Sequence, residues 1–507
     1  MPAQFSGKQF TFTQPDGTKL WVRGWGNQHH AVFETLNGYT VVENPATGFY
    51  EYADINHEAD KLLASGARPR QVDPRTLNLR SGLRTKAAAA KAQALQQSAF
   101  PHGGSRWEIR RKNAKDIVAQ LARNDGREGI MAAPPSRATV GNFVGLCILI
   151  QFSDIPGTIP QTEVENFCNQ AGYRGFGNNG SVHDYFHDVS GGRLNYTNIV
   201  TPYYTAKHPR KYYTDESIAL PKRTLELIKE ALDYFKNKGF DFSKLTIDQQ
   251  GYIYATNVFY AGTRVNNWKK GLWPHSSHLT NPYQLTPNKQ VFDYQITDMT
   301  DELSLGTFCH ENGHMICDFP DLYDYGNQSA GIGKFCLMCA GPNADEKNPP
   351  QINAYLKYKA GWAQTLTALT AGLNASAYAE KNQFFIHKKN ATEYFIIENR
   401  QRSGRDAALP AAGLAVWHID ELGDNQNEQM TSEKHYECAL IQADGRNDLE
   451  HDANNDGDAT DLFSSDVNKR FGVDTNPKSL WWDGSASRLD LSNISASGLE
   501  MRFTAAI

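Results

Sequence analysis

His310-Glu311-Asn312-Gly313-His314 sets two imidazoles four residues apart, with a carboxylate between them in sequence. On a helix, positions i and i+4 stand one above the other on a single face. Two imidazoles so placed can grip one zinc ion at about 2.0–2.1 Å. Glu311 projects at a different angle, so it can serve as a base instead of a ligand. The chemistry implied is hydrolysis. The metal lowers the pKa of a water towards about 7, and Glu311 accepts the proton.

A catalytic zinc takes three protein ligands and keeps one position open. The run Asp318-Phe319-Pro320-Asp321-Leu322-Tyr323-Asp324-Tyr325-Gly326 comes after the second histidine. Pro320 ends helical geometry, so the chain turns and a carboxylate can swing back to the metal. Asp321 is the first choice of third ligand, with Asp324 as the alternative and Asp318 after it. A carboxylate that does not bind the metal could instead hold an imidazole N–H. Farther on, Gly333-Lys334-Phe335-Cys336-Leu337-Met338-Cys339-Ala340-Gly341 resembles the tight turn that carries a methionine beneath the metal in metzincins. Met338 is then that methionine, although a methionine filling a core gap would read the same way. Cys309, Cys317, Cys336 and Cys339 crowd this region, but their spacing does not match paired zinc knuckles. Disulfides or buried thiols are the expectation there.

A second metal is suggested by Asp452, Asn454, Asp456 and Asp458, which alternate oxygen donors, with Gly457 at the sixth position of the run. This is the first half of a calcium loop. The twelfth position is Phe463, so an EF-hand is excluded, and Asp461 could substitute from the tenth. A solvated acidic loop is the competing reading.

The elements that must position these groups are set by periodicity. Phe143–Phe152 is a near-continuous apolar run, which reads as a buried strand opening a domain. Helices are predicted at Thr162–Asn169, after Gly180, and at about Pro221 to Asn237, where Leu225, Ile228, Leu232 and Phe235 recur at helical spacing. Gly251–Ala261 reads as a strand. The metal helix itself could be capped by Ser304 or Thr307, and Gly313 within it implies close approach by another element. This alternation makes residues 141–365 an α/β or α+β core.

Before it, residues 1–80 carry short alternating runs such as Thr18–Val22 and Tyr39–Val42, with turns at Asp16-Gly17 and Asn37-Gly38. Residues 81–140 read as a basic, helix-prone linker with exposed basic side chains, broken at 101–104 and again at 131–135. Such a join is a preferred site of proteolytic nicking. Residues 366–507 alternate as strands throughout, at Phe384–His387, Tyr394–Glu398, Leu414–His418, Tyr436–Gln442 and Gly498–Thr504, and read as a β-sandwich-like domain. His183, His187, His275, His278 and His418 read as structural or surface groups.

The run from Cys309 to Gly326, CHENGHMICDFPDLYDYG, resembles the active-site signature of the immune inhibitor A-like family of secreted bacterial zinc metallopeptidases. Further stretches are similar to that family: Ala31–Thr35 and Gly38–Val42 to its propeptide, and Gln151–Asp154, Gly180–Tyr185, Pro202–Thr205 and His208–Tyr213 to its catalytic domain. Glu398–Arg400, Gly413–Asp420 and Gln442–Gly445 are similar to the family's region C-terminal to that domain. The resemblance implies a zincin or metzincin-like catalytic domain, a propeptide, a zymogen and zinc held by two histidines and a downstream aspartate. It also implies secretion and protein or peptide substrates. The chain departs from the pattern at Cys317, where the family has glycine, and at Asp321, which comes one residue late. No cysteine precedes Cys147, so a propeptide would have to cover the zinc with another group or by bulk.

Composition sets bounds on all this. Hydrophobic residues make up 40% and charged residues 21% of 507, as in a folded protein of two to four domains. A net charge of −5 argues against nucleic acid or an anionic membrane as partner. No apolar stretch is long enough for a membrane span, and no leader is visible at the first residues. A monomer is expected. The competing function class is a catalytically inactive adhesion or binding protein that keeps the metallopeptidase fold; it would have no use for Glu311.

Overall fold

The computed structural model describes residues 4–98, 104–124, 138–426 and 430–507. The chain is mixed α and β, with helices packed around several sheets, an arrangement compatible with the expected α+β class.

The N-terminal part is a six-stranded antiparallel meander running from Phe5–Thr13 through Leu62–Ala64, each strand paired with the next. In Lys19–Gly26 the alternation is plain: Leu20 and Val22 are buried, while Lys19, Trp21 and Arg23 face solvent. The inner face packs Phe10, Phe12, Val22 and Phe33 onto Trp273, with Trp268 at the margin. This sheet therefore shares a core with the part of the chain that holds the metal motif.

Two helices come next, Ala87–Ser98 and Arg106–Asn124. The sequence predicts a linker with exposed basic residues here, and the second helix departs from that. Its first two amides donate to the Asp293 carboxylate, Arg106 at 2.8 Å and Trp107 at 3.3 Å. Arg110 donates to Asp318 and to the Met315 carbonyl, at 2.7 and 3.1 Å. Arg111 and Lys115 both reach the buried Glu437 carboxylate. The basic residues are held because buried carboxylates need cations beside them. The break at 101–103 and the run at 131–135 lie outside the described residues.

The central sheet has five strands in the order His275–Thr286, Lys289–Met299, Thr256–Ala261, Gly141–Gln151, Leu194–Thr205. All pair in parallel except His275–Thr286, which runs antiparallel along one edge. Gly141–Gln151 explains its own apolar run. Leu146, Ile148 and Ile150 face one core, while Cys147 and Leu149 face the other. Both faces are covered, so neither set of alternate positions can be polar. Lys222–Asn237 covers one face. Gln161–Asn169, Val182–Val189 and the metal-motif helix Leu305–Cys317 cover the other. The predicted strand at 251–261 is confined to Thr256–Ala261, and the hairpin His275–Met299 has no counterpart in the predicted elements.

The C-terminal part holds a five-stranded sheet (Thr365–Ala368, Gln383–Lys388, Glu393–Arg400, Gly413–Asp420, Cys438–Leu440) and a three-stranded sheet (Leu373–Tyr378, Glu500–Ala506, Asp490–Ser492). Phe385, Phe395 and Val416 of the first share a core with Ala377, Met501 and Phe503 of the second, so the two sheets face one another. No helix among the described residues is long and apolar enough to cross a membrane.

Candidate metal centre

The helix Leu305–Cys317 is buried along almost its whole length. Ser304 stands at its N-cap but gives no side-chain cap bond, and Thr307 lies inside the helix. The first amide, of Leu305, donates instead to Asn178 Oδ1 at 3.2 Å, from a distant loop. Asn312 anchors the helix from its inward side. It accepts from Tyr196 Oη at 2.5 Å and donates to Asn257 Oδ1 at 2.9 Å. Gly313 is where another element approaches: a Cβ there would stand 2.7 Å from Met338 Sδ. Met338 is fully buried beneath the motif helix, and its carbonyl accepts from the Leu322 amide at 2.8 Å.

His310, His314 and Asp321 come together as a buried group that could hold a metal ion. His310 Nε2 lies 3.0 Å from Asp321 Oδ1 and 3.2 Å from His314 Nε2. His314 Nε2 lies 3.3 Å from the same Asp321 oxygen. Two ligands each about 2.0–2.1 Å from a tetrahedral ion stand roughly 3.3 Å apart, which is close to this spacing.

The tautomers are fixed by the partners. His310 Nδ1 faces the Leu337 carbonyl at 2.8 Å, and His314 Nδ1 faces the Phe319 carbonyl at 2.6 Å. A carbonyl only accepts, so each Nδ1 carries hydrogen and each neutral ring turns its Nε2 lone pair to the centre. Asp321 is held through its other oxygen, which accepts from Tyr325 Oη at 2.7 Å.

Electrostatics favour a cation. Burial opposes charge on His314, but Asp321 and Glu311 outweigh it and push the ring up to about 9. A proton therefore occupies the place a metal would contest. Burial likewise raises Asp321, yet the two imidazoles overcome it and hold that carboxyl well below the usual range. Glu311 is shifted up, chiefly by burial. Its Oε1 lies 3.8 Å from His310 Nε2 and is buried without a hydrogen-bond partner. Ser276, on the edge strand, lines the same cavity as Glu311 and donates its hydroxyl to the Tyr294 carbonyl at 3.3 Å. A buried carboxylate oxygen without a partner, beside three converging donors, suits a cation at this place.

The other candidates are placed elsewhere. Asp324 turns to its own loop, accepting from the Gly326 and Gln328 amides at 2.8 and 3.0 Å. Asp318 ends the helix at φ 58° and pairs with Arg110. All seven cysteines are buried free thiols, so the expectation of thiols holds and that of disulfides does not.

The alternating calcium donors do not converge as their spacing predicts. Asp452 accepts from Asn454 within a turn, and Asp456 faces Lys334 at 3.9 Å. Only Asp458 and Asp461 meet, and they do so with Asp444, from outside the run. Arg446 reaches both Asp444 and Asp458, at 2.5 and 2.8 Å, so this group has its own counter-charge.

Residues that sequence reasoning missed cover the site. The loop Asn27–His30 of the N-terminal sheet lies against it. The His29 ring packs at a tilt against Tyr325, centroids 4.5 Å apart, and Gln28 Oε1 accepts from the Ser276 amide at 3.1 Å. The start of Arg106–Asn124 lies there too, with the Trp107 indole stacked on the His314 ring at 4.5 Å and 20°. Between them remains a cavity of about 30 Å³, lined by Glu108, Glu311, His314, Asp321 and Tyr325 among others. Ser276 and Trp107 leave no local signal, since each reaches the centre only through a long-range contact. Tyr325 does leave one, lying four residues beyond Asp321.

No protein-family model matches this chain, and no curated protein matches it at a significant level.

Proposed function

We propose that this chain is a zinc-dependent endopeptidase that its own N-terminal segments hold latent. The observation that carries the reading is the meeting of His310, His314 and Asp321 at tetrahedral spacing, with the unpartnered Glu311 carboxylate oxygen beside them. Zinc, when bound, supplies a Lewis acid that polarises a peptide carbonyl and makes water acidic enough to attack it near neutral pH.

The chain's own groups do the rest. His310 and His314 present their Nε2 lone pairs because backbone carbonyls hold their Nδ1 hydrogens. Tyr325 fixes the orientation of Asp321. Glu311 takes a proton from the attacking water and passes it to the leaving amine. The antiparallel edge strand His275–Thr286 brings Ser276 to the cavity that Glu311 lines and pairs on one side with Lys289–Met299. An extended peptide could add to its other side once Gln28 releases the Ser276 amide.

Latency is supported by Trp107 on His314 and by the cavity of about 30 Å³, which has room for a water and none for a peptide. Secretion, a zincin or metzincin-like catalytic domain and membership of the immune inhibitor A-like family rest on the resemblance of the motif. The test is Glu311→Gln in the chain freed of its N-terminal segments by limited proteolysis. Zinc content should be unchanged and hydrolysis of casein should fall by about 10²–10⁴-fold. Equal cleavage by parent and variant would sink the assignment of Glu311 as base.

A further inference from the structure

We propose that Asn312 is a positioning residue for the metal centre: its side-chain amide keys the motif helix to three strands of the central sheet and so fixes the direction in which His310, Glu311 and His314 point. This rests on the reading that His310, His314 and Asp321 hold a metal.

Asn312 lies two residues from each histidine. At about 100° per residue it projects from the side of the helix opposite to both rings. There it enters a group of buried polar side chains: Tyr196 and Asn198 from Leu194–Thr205, Asn257 from Thr256–Ala261 and Gln295 from Lys289–Met299. Asn312 Nδ2 donates to Asn257 Oδ1 at 2.9 Å and to the carbonyl of Phe308, one helical turn back, at 2.8 Å. Its Oδ1 accepts from Tyr196 Oη at 2.5 Å. Asn257 is held in turn, accepting from Gln295 Nε2 at 2.5 Å and donating to Asn198 Oδ1 at 2.9 Å. Asn198 and Asn257 stand on strands separated by Gly141–Gln151, and Gly145 of that strand leaves the gap in which they meet. A Cβ at Gly145 would lie 2.5 Å from Tyr196 Oη and 2.8 Å from Asn198 Oδ1.

Rotation is the coordinate that a metal-binding helix must control. Side chains reach about 5–6 Å from a helix axis, so a turn of roughly 20° moves a ligand atom by about 2 Å. Metal–ligand distances tolerate only about 0.2 Å. Apolar packing is non-directional and does little to resist such a turn. Ser304 gives the helix no side-chain cap bond that would fix it from its end. Hydrogen bonds between amides in a dry core are directional, and breaking one leaves a costly unpaired group. A contact that served packing alone would be met by an apolar side chain, as at Phe308 and Ile316, one turn to either side of Asn312.

The test uses the full chain, comparing the parent with Asn257→Ala and Asn312→Leu, and with Ile148→Val as a control from the opposite face of the sheet. The side chain of Asn257 bonds Tyr196, Asn198, Gln295 and Asn312 and none of the three metal donors, so it can alter the metal only through Asn312. Cobalt(II)-loaded Asn257→Ala should show shifted ligand-field absorption, and chelator competition should give about 10–100-fold weaker cobalt binding. Asn312→Leu should do the same, while Ile148→Val lowers the thermal midpoint and leaves spectrum and affinity those of the parent. One measurement needs no variant: the Asn312 side-chain amide protons should exchange slowly in the metal-free parent, because the network forms before any metal arrives. An unchanged cobalt spectrum and affinity in folded Asn257→Ala would make the network purely structural and overturn the proposal. So would Asn312 protons that are protected only after zinc is added, a result that decides even where both variants fail to fold. A parent that binds no cobalt would overturn the three-residue site itself, and this proposal with it.

Discussion

Replacing Trp107 with alanine should open the cover over the metal centre without unfolding the protein. Trp107 is 9% exposed and stacks on His314 at 4.5 Å. A tryptophan buries about 150–250 Å². At about 25 cal/mol per Å², that is roughly 4–6 kcal/mol if all of it is lost on opening. The detached segment would keep part of its apolar surface covered, so about 3 kcal/mol is a fairer figure. Each 1.4 kcal/mol is tenfold, so the open population should rise by about 10²-fold. The remaining anchors, Arg110 on Asp318 and Lys115 on Glu437, keep the helix near its place. Two assays read the change. Hydrogen exchange at residues 105–110 should accelerate by that factor while the amides of Gly141–Gln151 stay protected. Zinc-loaded, uncleaved Trp107→Ala should hydrolyse a short quenched-fluorescent peptide far faster than the parent. If exchange at 105–110 is unchanged, the stacking does not hold the cover. If exchange accelerates but hydrolysis does not, the cover is not what limits the enzyme.

Other outcomes rest on the same contacts. Tyr325→Phe strands a buried Asp321 oxygen and should weaken zinc binding by about 10–100-fold in a chelator competition, with the fold intact by circular dichroism. Glu437 provides a pH dependence. Burial raises its carboxyl, but Arg111 and Lys115 outweigh burial and hold it down at about 2, against an ordinary value of 4.5. The folded pKa lies below the unfolded one, so this anchor contributes fully above about pH 4.5 and is lost as pH falls from there towards 2, by roughly 3 kcal/mol. Proteolysis by pepsin within 104–124 should rise steeply over that window in the parent and stay flat in Glu437→Gln. Gly313→Ala gains about 1 kcal/mol of helix propensity. It also drives a methyl to 2.7 Å from Met338 Sδ, and overpacking of this kind costs about 1–3 kcal/mol, so the thermal midpoint should fall.

The sequence by itself determined what local spacing can encode. His310 and His314 share a helical face because four residues make about one turn, and this holds whatever surrounds the helix. The strand at 143–152 and the helices near 162, 182 and 221 were legible for the same reason: their apolar periods are set by backbone geometry. Asp321 could be singled out because Pro320 forces a turn so soon after the helix. Spacing also misled. The alternating donors at 452–458 look like a cation loop, yet the backbone there turns Asp456 to Lys334 and brings Asp458 and Asp461 to Asp444.

Tertiary structure alone decided which groups complete and cover the centre. Ser276 reaches the cavity beside Glu311 from an edge strand, the Leu337 carbonyl orients His310 from 27 residues away, and Trp107 reaches His314 across more than 200 positions. None of these has a periodic or compositional trace, because a contact between distant segments depends on how the sheets and helices stack. The helix that read as an exposed basic linker is the sharpest case. Its arginines and lysines are ordinary in sequence, and they became anchors only because folding buries Asp318 and Glu437 where cations must meet them.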